Sequence, residues 1–172
     1  ACIGAIWCFL PLFGAQMFSL SGAGIGLLVT LGVFISGVLQ LPMGYAADRI
    51  SRPVMTCAGG ITATAGMVWI YFAGSFFDLL AAVSVFGVGG GIAMPAISAL
   101  AVVKGEQKKA MGSVMAVMTV AHSLGMLTGS LTAGLAMDFF NLRLAFPMAG
   151  LVMALGTLVF ALVHLSRAVR RS

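Results

Sequence analysis

Long uncharged apolar runs alternate with short polar segments along the whole chain. Residues 24–43 carry no charged side chain, and residues 53–77 carry none either. About 20 apolar residues in a helix are enough to cross the hydrocarbon core of a bilayer. The pattern predicts an all-α membrane domain over residues 1–172, with six transmembrane helices at about 1–18, 24–46, 53–74, 78–103, 110–137 and 144–165, the first being the shortest.

Composition excludes several classes of protein. Hydrophobic residues make up 61% of the chain and charged residues 8%, whereas a soluble domain has about a quarter charged residues. Cys2, Cys8 and Cys57 all lie in apolar runs without paired spacing, so neither a disulfide framework nor a metal site is predicted. The net charge of +5 is spread over separate short loops and forms no contiguous patch of the kind that binds nucleic acid.

The basic residues indicate the orientation in the membrane. With six spans, eight of the nine lysines and arginines fall on one side: Arg49, Arg52, Lys104, Lys108, Lys109, Arg167, Arg170 and Arg171. The positive-inside rule makes that side cytoplasmic. The carboxy terminus is therefore predicted to be cytoplasmic, in a multi-pass protein of a bacterial inner membrane.

The segment between the second and third spans is Gly44-Tyr45-Ala46-Ala47-Asp48-Arg49-Ile50-Ser51-Arg52. It resembles the loop signature of the major facilitator superfamily of secondary transporters, Gly-x-x-x-Asp-Arg-x-Gly-Arg followed by a further basic residue. Ser51 replaces the second glycine, and Pro53 stands where the further base is common. The resemblance implies a six-helix half of such a transporter, built from two inverted three-helix repeats.

The resemblance also implies a gating role for Gly44, Asp48, Arg49 and Arg52. In the family the signature aspartate acts as a latch against a helix end of the opposite half. A carboxylate near a helix N-terminus gains roughly 0.3–1 kcal/mol, a scale that suits a gate that must also open. The alternative is a solvated loop that only fixes topology, and for Arg52 that alternative is preferred.

A second stretch bears on which half of a transporter this is. Residues 121–134 and the following 138–146 resemble the family's eleventh span and the turn after it, and a short basic tail ends the chain. These features favour the carboxy-terminal half. An amino-terminal six-helix half of the same polypeptide is then the expected partner.

Methionines follow the fifth span at steps of four and three. The stripe comprises Met111, Met115, Met118, His122, Met126, Gly129 and Ala133. One interpretation makes Met115, Met118 and His122 the wall of a substrate cavity, because methionine is adaptable and imidazole can bond or take up a proton. The other is that they fill gaps between helices. Copper(I) is disfavoured, because no partner cysteines are identifiable.

Glycines are clustered in the fourth and fifth spans. Gly89, Gly90, Gly91 and Pro95 predict a bend in the fourth span, because interior glycine and proline destabilise a helix. By resemblance to the family's tenth span, Met94 and Ser98 would then face substrate; the alternative is close packing. In the fifth span, Gly125 and Gly129 favour helix packing, since residues 129–134 lack the proline of the family's antiporter signature.

Gln16 and Gln40 are the remaining larger polar groups inside spans. Either glutamine contacts substrate or bonds to a neighbouring helix, which is the commoner fate of such residues.

The sequence favours a secondary transporter that moves a small molecule through the bilayer, most simply by efflux of an apolar or amphipathic compound. Uptake of an organic anion is the alternative, and its cationic group would come from the other half. An intramembrane enzyme is disfavoured: Phe34-Ile35-Ser36-Gly37 lacks the Gly-x-Ser-Gly nucleophile turn, and no zinc-protease motif is present. No phosphate-binding loop is present, so coupling to ATP is not indicated. No charged ring typical of an ion channel is present either. No cofactor is predicted.

Overall fold

Each predicted span corresponds to one helix in the computed structural model, which describes residues 2–139 and 144–169. Those residues form α1 (Cys2–Phe18), α2 (Gly22–Arg49), α3 (Arg52–Phe72), α4 (Phe76–Gln107), α5 (Met111–Phe139) and α6 (Ala145–Val169). The middle of the predicted turn after α5, residues 140–143, and the end of the basic tail, residues 170–172, lie outside the described residues.

Within these described residues, five stretches are long and apolar enough to cross a membrane: Gly22–Arg49, Arg52–Phe72, Phe76–Gln107, Met111–Thr132 and Ala145–His164. The apolar part described for α1, 8–18, is shorter. The all-helical, multi-span character is therefore confirmed, whereas a sixth crossing by α1 stays a prediction.

Local polar contacts explain where the helices begin. Ser75 precedes α4, and its hydroxyl accepts a hydrogen bond from the Asp78 backbone N–H at 3.1 Å. The Asp78 carboxylate in turn accepts from the Ser75 hydroxyl at 2.8 Å and from the Gly74 N–H at 3.3 Å. This reciprocal cap satisfies backbone donors that the first turn of a helix leaves free.

Glycines let α4 pack closely on both α2 and α3. A Cβ at Gly87 would lie 2.6 Å from the Gly32 carbonyl oxygen of α2, and a Cβ at Gly59 of α3 would lie 2.6 Å from the Ala93 nitrogen. Gly89 is in equally close contact with the Ala63 backbone. Gly89 is therefore closely packed against α3, as the second interpretation of the glycine run expected. Helix α4 continues through Gly89 and through Pro95.

The main hydrophobic core lies at the end of the bundle opposite the Asp48 loop. Five helices meet there, through buried side chains that include Leu10, Phe13, Leu28, Ile70, Leu79, Val83 and Phe146. Phe13 and Phe146 meet edge to face, with ring centroids 5.1 Å apart. At the other end a smaller cluster, Ala47, Met55 and Ala96, joins only α2, α3 and α4. Among the described residues, α5 contributes no hydrophobic side chain to either cluster.

Candidate functional site

The loop signature spans the end of α2, the start of α3 and the two residues that connect these helices, Ile50 and Ser51. The Arg52 Nε donates a hydrogen bond to the Ala47 carbonyl oxygen at 3.2 Å, which satisfies one of the free carbonyls at the end of α2. The Arg52 guanidinium also lies 3.6 Å from a carboxylate oxygen of Asp48. Arg52 therefore joins the two helices across the turn, in addition to carrying a charge.

The other signature residues face outward. The Asp48 side chain is 72% exposed, and the Arg49 guanidinium lies over the Tyr45 ring at 4.3 Å. No atom lies within 4 Å of a Cβ built on Gly44, apart from its own helix and chain neighbours. An exposed ion pair of this kind contributes about 0–1 kcal/mol to stability. The fold therefore depends little on Asp48, whose carboxylate stays accessible at the surface.

A cavity of about 250 Å³ lies between α1, α2 and α4. Its lining is mostly apolar and consists of Ile6, Leu10, Val29, Gly32, Val33, Ser36, Gly37, Gln40, Val83, Phe86, Gly87, Gly90 and Met94. Ser36 and Gly90 lie close to the midpoints of their helices, Gly22–Arg49 and Phe76–Gln107. Substrate sites of secondary transporters lie near the midplane of the bilayer, so the position suits a transported molecule.

Two polar side chains enter this cavity from α2. Ser36 and Gln40 are one helical turn apart and therefore share a face. Neither side chain has a hydrogen-bond partner among the described residues. None of the side chains that line the cavity in the described part of the chain carries a charge.

Most hydroxyl groups within the helices bond to the carbonyl four residues earlier, as Thr64 does to Gly60 at 2.8 Å and Ser84 to Leu80 at 2.7 Å. Ser36 does not, although Gly32 is its acceptor by position. The Gly32 carbonyl lies against Gly87 of α4, and no acceptor for the Ser36 hydroxyl is found among the described residues. The Ser36 hydroxyl is therefore free beside Gly90, where an added Cβ would lie 3.2 Å from the Ser36 Oγ.

The structure brings together only part of the predicted site. Gln40 and Met94 line the cavity, whereas Gln16, Ser98, Met115 and Met118 do not. Gln16 is exposed on α1, and Ser98 is half-buried on α4.

The methionine stripe lies elsewhere, on α5, where His122 is exposed and Met115 and Met118 are half-buried. On the same helix Gly129 is buried, Gly125 is half-buried, and the side chain of Ala133 lies outside the described part. The roles of these residues stay predictions.

Sequence reasoning did not single out Ser36 or Phe86 as cavity residues. A signal for Ser36 existed, because it precedes Gln40 by four residues in a span with few other polar groups. Phe86 had no such signal, since it is one of many aromatic residues and only the packing of α4 on α2 places it at the cavity.

A larger groove of about 690 Å³ runs between α3 and α6, lined by Cys57, Ile61, Thr64, Ala65, Val68, Trp69, Phe72, Ala154, Thr157, Leu158 and Ala161. Its two threonine hydroxyls bond to their own helices, Thr64 to Gly60 and Thr157 to Met153. The groove therefore offers mainly an apolar surface, and the smaller cavity is the better candidate for recognition. The described residues contain no group of three or more His, Cys, Asp or Glu arranged to hold a metal ion.

Comparison with known proteins supplies the family. A model of the Major Facilitator Superfamily matches residues 1–172. The chain is 32% identical over 73 residues to a protein named "Nitrite extrusion protein" from Bacillus subtilis (strain 168). That alignment covers 42% of this chain and 18% of the relative, so the chain spans only a small part of that protein's length. No solved structure matches.

Proposed function

Because the chain belongs to the Major Facilitator Superfamily, we propose that it forms one half of a secondary transporter, which carries a small molecule by alternating access. Family membership points to a transporter rather than an enzyme. The observation that carries the proposal is the cavity at mid-length of α2 and α4, which exposes two hydrogen-bonding side chains within an apolar wall.

The packing of the helices supports a layout of two inverted repeats, α1–α3 and α4–α6. Exchanging α1 with α4, α2 with α5 and α3 with α6 turns the contact of α2 with α4 into that of α5 with α1. The exchange likewise turns the contact of α3 with α4 into that of α6 with α1, while α3 and α6 contact each other. A pseudo-two-fold axis that relates the two repeats would produce this exchange, and in transporters with inverted repeats that axis lies in the membrane plane.

We also propose a layout with six crossings, as two three-helix repeats require, and with the carboxy terminus in the cytoplasm of a bacterial inner membrane, as the distribution of basic residues favours. Cysteine labelling of intact cells tests it. Cysteines at positions 49 and 107 should both react only after the cell is opened, and a cysteine at position 77 should react from outside. Labelling of 49 and 107 from opposite sides would contradict the layout.

An amino-terminal six-helix half of the same polypeptide is the proposed partner. Support comes from α2 and α5, whose apolar side chains are largely exposed, among them Phe34, Leu41, Val117 and Leu124. Part of this surface would meet lipid, and part would meet the other half. The chain expressed without that half should insert in the membrane but should not catalyse flux.

Efflux of an apolar or amphipathic compound is the transport activity that the cavity suits best. An ion moved into an apolar site loses its hydration, which costs several kcal/mol unless an opposite charge compensates. The described lining supplies no such charge.

A small inorganic anion is the second candidate, because the relative that is 32% identical over 73 residues is named a nitrite extrusion protein. Uptake of an organic anion remains a third. Either anion requires a cationic group from the other half.

Reconstitution of the complete polypeptide in proteoliposomes tests the function. An imposed proton or sodium gradient should drive saturable accumulation of an uncharged dye, and collapse of the gradient should abolish it. Conductance that does not depend on a gradient, or hydrolysis of a substrate, would contradict a carrier. Saturable nitrite flux with no dye transport would favour the second candidate.

Gating is assigned to the loop signature. We propose that Asp48 contacts a helix end of the other half when the cytoplasmic side is closed and that Arg49 takes part in the same contact. Their exposure supports the proposal, and Arg52 holds Asp48 in place from the start of α3.

A further inference from the structure

We propose that Ser36 and Gln40 form a recognition pair that binds the polar head of an uncharged amphiphile. This inference rests on the proposed transport function and names the substrate class of the same cavity. The ligand would carry a carbonyl or hydroxyl group on an apolar body, and the fixed charge of an inorganic anion would exclude it.

The Ser36 hydroxyl makes no hydrogen bond to another described residue. A serine inside an apolar helix can bond to its own backbone, as Ser84 does on α4, whereas Ser36 makes no such bond to Gly32. The hydroxyl is therefore free to donate a hydrogen bond into the cavity, and hydroxyl groups can also accept one.

Ser36 and Gln40 are spaced so that one ligand group can reach both. Gln40 lies one turn beyond Ser36 on the same cavity wall, and side chains four residues apart on a helix are neighbours. Its amide offers two donors and one acceptor, none of which is used by another described residue. A hydroxyl and an amide placed side by side can bind one carbonyl or hydroxyl from two directions.

The rest of the cavity lining is apolar. Leu10, Val29, Val33 and Phe86 surround the pair with apolar surface, so the ligand's body would be hydrophobic. The described lining contains no cation to compensate an anionic ligand. The wall and the pair together fit a neutral head on an apolar body.

A substitution at Gly90 offers a second, independent test of the recognition pair. A methyl at position 90 would lie 3.2 Å from the Ser36 Oγ, so Gly90→Ala would crowd the hydroxyl without removing it. Gly26→Ala is the matched control, because open space surrounds a Cβ at that position of α2.

The experiment measures gradient-driven transport by the complete polypeptide in proteoliposomes with three probes: Nile red, pyrene and nitrite. Nile red is uncharged and has a carbonyl acceptor, whereas pyrene is an aromatic hydrocarbon without hydrogen-bonding groups. Ser36→Ala and Gln40→Ala should each raise the half-saturating concentration of Nile red by roughly 3- to 10-fold. Pyrene transport should not change. Ser84→Ala should match the wild-type protein with both dyes, because its hydroxyl bonds to its own helix.

The pyrene measurement separates a lost hydrogen bond from misfolding, because a misfolded variant would lose both dyes. In that event Gly90→Ala decides, since it should weaken Nile red transport while Gly26→Ala does not. Unchanged Nile red transport in Ser36→Ala and Gln40→Ala would overturn the recognition pair and leave the transport function standing. Wild-type protein that moves none of the three probes would overturn both. Saturable nitrite transport without dye transport, or nitrite transport that Ser36→Ala abolishes, would overturn the neutral substrate class and leave the transport function standing.

Discussion

Helices α4 and α5 are both long, apolar and rich in small residues, yet they occupy opposite environments. α4 is enclosed by α2 and α3, with Leu79 and Ala82 fully buried. α5 has no hydrophobic side chain in the buried core among the described residues, and Leu124 and Leu131 are more than half exposed. The middle of α4 is therefore packed within this chain, whereas Phe77 near its start is 78% exposed. For α5 much of the packing must come from lipid or from another six-helix half.

The difference teaches which measurement reports on which region. A substitution at a buried position of α4 should change the stability of this chain, because that position is packed against other helices of the chain. A substitution on α5 or in the exposed signature loop should leave stability nearly unchanged and alter transport instead. Each prediction below tests one side of that division, beginning with the largest expected effect.

Gly89→Leu should prevent folding. Gly89 is in contact with the Ala63 backbone, which cannot move aside as a flexible side chain can. Overpacking costs typically about 1–3 kcal/mol, and more where backbone must shift. Thermal unfolding of the detergent-solubilised protein measures the effect, with Gly26→Leu as the control on an open face of α2. Equal melting temperatures for the two variants would show that α4 is not packed as described.

Leu79→Ala should destabilise the protein by about 2–5 kcal/mol, because it leaves a cavity in a fully packed site. Leu124→Ala, on the exposed face of α5, should stay within about 0.5 kcal/mol. The two variants remove the same atoms, so the difference isolates the environment. Chemical denaturation in detergent measures both free energies of unfolding. Similar losses would mean that α5 is enclosed within this chain.

Asp48→Asn should slow turnover roughly fivefold while substrate binding changes less, because the proposed contact of the carboxylate with the N-terminus of a helix in the other half is worth about 0.3–1 kcal/mol. Its stability should barely change, since the carboxylate is 72% exposed. Transport rate and equilibrium binding of the same dye separate the two effects. Asp78→Asn is the control for a carboxylate that caps a helix, and it should lower stability rather than turnover. Normal turnover in Asp48→Asn would remove the latch.

His122→Ala should alter transport about twofold, the lower end of what a single hydrogen bond contributes, with normal expression. The imidazole is exposed on α5, so any role of His122 depends on groups outside this chain. Transport should be measured across a range of pH in parallel with Ser123→Ala, its exposed neighbour. Transport that is unchanged at every pH would leave His122 without a role in the transport cycle.

Sequence alone determined the all-helical, multi-span character and the loop signature. Uncharged runs of this length cannot be stable in water, and a membrane span must be helical to satisfy its backbone. These properties depend on local composition, so the pattern of residues suffices. It also pointed to Gln40, because larger polar groups are few in such spans, and to Met94 by resemblance to the family's tenth span; both line the cavity.

Only the tertiary structure decided which faces of those helices meet. In a uniformly apolar helix no polar stripe marks the outer side, so the sequence does not show which face meets a neighbouring helix. For the same reason the glycine run of α4 was compatible both with a bend and with close packing. The approach of Gly87 to Gly32 decided how closely α2 and α4 pack, and this packing places Ser36 beside Gly90. The methionine stripe of α5 was regular in sequence but lies apart from the cavity. Its regularity reflects the helical period, whereas membership in a cavity depends on which helices are neighbours.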